Sequence, residues 1–125
     1  MYRFLRLTLV FTAFFTFSAF DVTVDEILGA IKKGDAIKIS RHFDELVEIT
    51  LNDRSSSYSR TQAEVVLKDF FSNHNVRNFT VIHRVNSNNG EYCVGTLNTS
   101  GGEYRTTILF RTKGEKKLVQ ELRFE

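Results

Sequence analysis

Proline is absent from the 125 residues, and cysteine occurs once. Without proline there is no polyproline linker and no X-Pro isomerisation step in folding. A single cysteine excludes an internal disulfide framework and a cysteine-rich zinc site. No acidic residue precedes Asp21. Signature motifs are missing as well: there is no H-E-x-x-H, no G-x-S-x-G, no Walker-type loop and no G-x-G-x-x-G. His42, His74 and His83 do not stand at metal-ligand spacing, so no metal and no cofactor is expected. What is present is 42% hydrophobic and 26% charged residues. That apolar share is too high for a disordered chain and fits one domain.

Residues 1–19 read as a cleaved signal peptide, and residues 20–125 as a single domain. Arg3 and Arg6 form a positive n-region, and Leu7 to Phe17 is apolar apart from Thr8, Thr12 and Thr16. That run is short for a membrane span, which needs about 20 apolar residues. Cleavage after Ser18 places Thr16 and Ser18 at the small-residue positions, whereas cleavage after Ala19 places Phe17 at the first of them. An uncleaved anchor is the competing reading. No cysteine stands directly after the apolar run, so a lipoprotein anchor is not expected. The expected destination is the periplasm or cell envelope, with no stable membrane span once the signal is removed.

Export changes the charge argument. The formal net charge of +2 equals the contribution of Arg3 and Arg6, so the remaining side chains balance. A nucleic-acid-binding surface is not supported. Lys113, Lys116 and Lys117 cluster around Glu115 and read as a solvated hairpin turn. Cys93 lies between Tyr92 and Val94. A lone thiol in an oxidising compartment is best accounted for as a small core hydrophobe.

Val24, Ile27, Leu28 and Ile31 give the spacing of an amphipathic helix over 22–33, with Asp21 or Thr23 as cap and Gly34 as stop. Asp35 then caps a short helix to about His42, burying Ala36, Ile39 and Phe43. Alternation predicts a strand over 45–51. Asn52-Asp53 is turn chemistry, followed by a serine run. Ser59-Arg60-Thr61-Gln62 is a capping box that opens a helix over 60–73, whose apolar stripe is Ala63, Val66, Leu67, Phe70 and Phe71. The period then changes to two, with strands predicted at 78–86, 91–99, 103–112 and 117–124. Asn88-Asn89-Gly90, Gly101-Gly102 and Lys113-Gly114-Glu115 are hairpin signals between them. The fold class is α+β, with three helices on one face of a strongly curved antiparallel sheet, in the order helix, helix, strand, helix, four strands.

This order resembles the nuclear-transport-factor-2-like, or cystatin-like, cone. Gly34-Asp35-Ala36, Ser40 to Phe43, Tyr58 to Glu64, Phe70-Phe71, Tyr104-Arg105 and Leu118 to Phe124 are similar to a family of small exported Bacteroidetes proteins known as a domain of unknown function. The resemblance implies a fold and an envelope location. It implies no activity.

Cones of this kind often enclose a pocket, so polar residues able to point inward are the candidates. By strict alternation His83 shares a face with Phe79, Val81 and Val85. It could be a general base in a pocket, or a histidine at the rim or hydrogen-bonded in the core. No acid is placed by sequence to orient it. Tyr92 and Tyr104 lie on adjacent strands, as ligand contacts or as a cross-strand aromatic pair. Arg60 could hold an anionic group near a helix N-terminus, although the capping box already explains its neighbours.

The first reading is a non-enzymatic exported domain that binds a small apolar ligand or an envelope protein. A second is a pocket enzyme of isomerase or dehydratase type with His83 as base. A third is a homodimer formed through the outer sheet face, with Ile82, Val94 and Phe110 contributing according to which face is inward.

Overall fold

Helical periodicity produces α1 (Val22–Lys33), with Val24, Ile27, Ala30 and Ile31 buried along one side. The computed structural model describes residues 22–125; the signal peptide expected at 1–19 and the cap expected at Asp21 lie outside them. Gly34 ends α1 with φ +64°, the left-handed geometry that glycine adopts without strain, and Asp35 N–H donates back to the Ala30 carbonyl at 2.9 Å. The Asp35 carboxylate accepts from the Lys38 amide at 3.1 Å and so caps α2 (Ala36–Ser40).

β1 (Phe43–Leu51) follows and turns at Asn52, φ 54°, into β2 (Arg54–Ser59). The capping box forms as its spacing predicts: Ser59 accepts from the Gln62 amide at 3.3 Å, and the Ser59 amide donates to Gln62 Oε1 at 3.5 Å. It opens α3 (Arg60–Asn73), which buries Ala63, Leu67, Phe70 and Phe71, with Val66 half-buried. The Ser40 hydroxyl donates to Glu64 Oε1 at 2.8 Å and ties α2 to α3. Three hairpins then run through β3 (Val76–Ser87), β4 (Gly90–Thr99), β5 (Gly102–Lys113) and β6 (Lys116–Phe124).

The six strands form one curved, open sheet in the order β2-β1-β6-β5-β4-β3. The α+β class and the three helices are as the sequence predicts, with two differences of detail. The segment predicted to be turn and serine run is mostly strand β2, paired with β1 from Leu46↔Ser59 to Leu51↔Arg54. Serine has little strand preference of its own, and here the pairing supplies it. The sheet is also not wholly antiparallel, because β1 pairs with β6 in parallel. α3 carries the chain from one edge of the sheet to the other, and the returning hairpins bring β6 alongside the free side of β1.

The concave face and the helices share one core. Phe43, Phe110 and Phe124 are completely or almost completely buried, with Ile49, Leu97, Ile108 and Leu122 around them. Gly95 lies on this face. A Cβ there would stand 2.6 Å from the Thr80 carbonyl and 2.7 Å from the Phe79 ring, so the glycine lets that ring close over β4.

Candidate functional site

Strand alternation decides which side chains point away from the helices. Along β4, Glu91, Cys93 and Leu97 face the core, so Tyr92, Val94 and Thr96 face outward. A bulge in β3 between Val81 and His83 interrupts its alternation. Phe79 is buried, whereas His83 pairs with Val94 and Val85 with Tyr92 on the outer face. The single face predicted for Phe79, Val81, His83 and Val85 is therefore corrected: the extra residue, Ile82, turns His83 away from the core.

These residues form a groove of about 580 Å³ across the outer face of β3, β4 and β5. Ile82 and Val94 give it an apolar part, His83 and Tyr92 stand beside them, and Thr96, Glu103 and Arg105 complete it. Ile82 is 67% exposed. Val94 is buried but is not part of the helix-side core, because its cover comes from the outer face. The His83 and Tyr92 rings meet edge-on at 5.9 Å. Glu103 and Arg105 place an acid and a base in one groove, and sequence reasoning did not single out either as a site residue. Their signal is the β4–β5 register, in which Thr96 faces Arg105 and Asn98 faces Glu103.

The other sequence candidates lie elsewhere. Tyr104 is on the concave side, edge-on to Phe70 and His74 at 5.4 Å each. It pairs with Leu97, and Tyr92 pairs with Leu109, so the two tyrosines are not a cross-strand pair. Arg60 is exposed at the start of α3 and donates from Nε to the Phe43 carbonyl at 3.1 Å, which fixes helix to strand. Phe110 faces inward and contributes nothing to the outer face. Among the described residues no group of three His, Cys, Asp or Glu side chains could hold a metal ion.

Two of the lysines predicted to be a solvated turn have partners. Lys117 donates to Glu91 Oε2 at 3.1 Å, and Lys113 donates to Asp44 Oδ1 at 2.7 Å. The hydrogen bond from Lys113 holds the Asp44 carboxyl below its ordinary range, against the opposing effect of burial. A depressed folded pKa adds stability above the unfolded pKa, and that stability is lost as the pH falls through the folded value. Lys113→Met is therefore expected to lower the melting temperature at pH 7, with the gap to the parent closing as the pH falls through the lowered Asp44 pKa. A gap that persists in acid would show that Lys113 acts through packing alone.

Cys93 is fully buried, and burial pushes its thiol up to about 11. The native chain is expected to resist a thiol reagent at pH 8 and to react once unfolded. Fast labelling of the native chain would refute this placement.

Residues 24–125 match the family described as Domain of unknown function (DUF4783). The chain belongs to this family. Its fold matches the crystal structure of a DUF4783 protein from Bacteroides uniformis with a TM-score of 0.79, at 26% identity over 81% of this chain and 94% of that one. A DUF4783 protein from Bacteroides fragilis is 32% identical, with a TM-score of 0.76, over 79% of this chain and 93% of that one. An NTF2-like protein of unknown function from Cytophaga hutchinsonii shares the fold at 10% identity and a TM-score of 0.60, covering 82% and 85%. The DUF4783 domain described here is thus an NTF2-like cone. No protein of curated function matches the sequence.

Proposed function

We propose that the domain is a non-enzymatic association module of the cell envelope, and that a second copy of the chain packs on the outer face of its sheet. The observation that carries this is the groove that groups exposed Ile82 and buried Val94 with Glu103 and Arg105. Glu103 and Arg105 stand two residues apart on β5, beside the apolar part, and such an adjacent acid and base are self-complementary about a two-fold axis passing between them, since Arg105 of each copy can then reach Glu103 of the other. The outer face of four strands spans roughly 20 Å by 33 Å, on the order of the 800 Å² per partner that a stable interface needs.

A protein partner is favoured over a small apolar ligand because phenylalanine side chains occupy the cone's interior. A general base works best where water is excluded, and His83 is exposed, which favours association over catalysis. The signal-like residues 1–19 support an envelope location.

Sedimentation of the purified chain tests the proposal. The parent is expected to be a dimer, and Ile82→Glu and Arg105→Glu are each expected to be monomers. Adding Glu103→Arg to Arg105→Glu restores opposite charges across the axis and is expected to restore the dimer. A parent that stays monomeric in the low-millimolar range, or a dimer indifferent to Ile82→Glu, would sink the idea.

A further inference from the structure

His83 stands in the groove on which the second copy is proposed to pack, and it is the one imidazole there among the described residues. The bulge between Val81 and His83 turns it outward, opposite Val94 and beside Ile82 and Tyr92. In the single chain it is exposed. Its ring meets Tyr92 edge-on at 5.9 Å, and among the described residues it has no hydrogen bond and no ion pair. The other two histidines are held differently. His42 Nε2 lies 3.5 Å from Glu26, and His74 stacks on Phe70 with Nδ1 2.9 Å from the Phe70 carbonyl oxygen. Neither lines the groove.

We infer that His83 makes the association pH-dependent: the dimer holds its ring neutral, and protonation releases the second copy. This inference rests on the association proposed above and adds its regulation. Packing a second sheet over Ile82 and Val94 encloses the imidazole that stands beside them. Enclosure away from water costs a charged group far more than a neutral one. An enclosed imidazolium therefore needs a carboxylate at hand, and the groups around His83 leave none to spare. From β4 the titratable side chain on this face of the groove is Tyr92, and from β5 the charged ones are Glu103 and Arg105. In the dimer Glu103 is taken up by Arg105 of the other copy, and a second cation in the groove would be repelled by Arg105. Arg84 on β3, Glu91 on β4 and Asp25 on α1 form their own ionic set on the helix side of the sheet. The sign follows from linkage. The free chain binds a proton at His83 that the dimer does not, so association weakens as the pH falls through the range in which imidazoles titrate. Each dimer carries two such rings, which sets the steepest dependence at about 100-fold in Kd per pH unit.

Sedimentation of the purified chain over a concentration series, at pH 8 and pH 5 and matched ionic strength, tests it, with amide spectra confirming the same fold at both. The parent is expected to dimerise at pH 8 and to associate at least about tenfold more weakly at pH 5. His83→Gln keeps a polar side chain that takes no charge, and its dissociation constants at the two pH values are expected to agree within about threefold. His83→Phe, which keeps a ring without the charge, is expected to behave in the same way. His42→Gln is expected to retain the parent's dependence on pH. A parent dimer of equal strength at both pH values, a dimer that tightens in acid, or a dependence that survives in His83→Gln and His83→Phe would overturn this inference and leave the association standing. A parent that stays monomeric at pH 8 would overturn both.

Discussion

Phe70→Ala is expected to cost about 3–5 kcal/mol, a large share of the stability of a domain this size. Phe70 is 6% exposed and lies at the centre of an aromatic cluster. Its ring stacks on Phe124 at 4.5 Å and on His74 at 4.4 Å, and it meets Phe71 and Tyr104 edge-on at 5.6 Å and 5.4 Å. Truncation removes the area that the ring buries. It also leaves a hole that rigid neighbours on α3, β5 and β6 cannot collapse to fill. Ser59→Ala, at the other end of the same helix, removes only a cap exposed to water and is expected to cost about 0.5–2 kcal/mol. Denaturant melts of the two variants should separate clearly in midpoint with unchanged slope. Equal, small losses would mean that α3 does not pack on the sheet through this face.

The contrast between α3 and β2 shows which parts of the structure local sequence carries. The ends of α3 were legible because Ser59 and Gln62 satisfy each other's neighbouring amides and the apolar stripe has helical period. β2 was not legible, because Arg-Ser-Ser-Ser-Tyr-Ser has no periodic signal and becomes a strand only through its pairing with β1. The same limit applied to the candidate site. His83 reads as inward by alternation, and one extra residue at Ile82 reverses it. Nothing in Val81-Ile82-His83 marks the bulge, which is set by how β3 meets β4 (and by how the sheet curves). Lys113 reads as solvated because its partner, Asp44, lies 69 residues away, and the parallel β1–β6 pairing is equally non-local. Tyr92 and Tyr104 were correctly placed on neighbouring strands, but the faces they occupy depend on a register that the sequence does not state. Cys93 was legible, since an apolar neighbourhood on a central strand leaves few alternatives to burial.

The second large effect is expected at Glu91. Its side chain is 4% exposed on the concave side of β4, an expensive place for a carboxylate. Oε1 accepts from Arg84 Nε at 2.8 Å and Oε2 from Lys117 Nζ at 3.1 Å. Arg84 also donates from Nη1 to Asp25 Oδ1 at 2.9 Å, so one buried acid links β4 to β3, β6 and α1. Removing one member of a buried ionic set leaves the others uncompensated, at about 3–5 kcal/mol. Arg84 is about a third exposed, which softens the loss toward the lower end, so Glu91→Ala is expected to cost about 3 kcal/mol. The damage should reach α1, whose amides are expected to exchange faster because Arg84 then lacks the anchor that orients it toward Asp25. Replacing the whole set, with Arg84→Met, Glu91→Leu and Lys117→Met together, is expected to recover most of the loss, because no charge is then left buried without a counter-ion. Non-additivity of this kind separates ionic coupling from simple loss of packing. If Glu91→Ala melts within about 0.5 kcal/mol of the parent, water screens the network and the attachment of α1 rests on Val24, Ile27 and Ile31 alone.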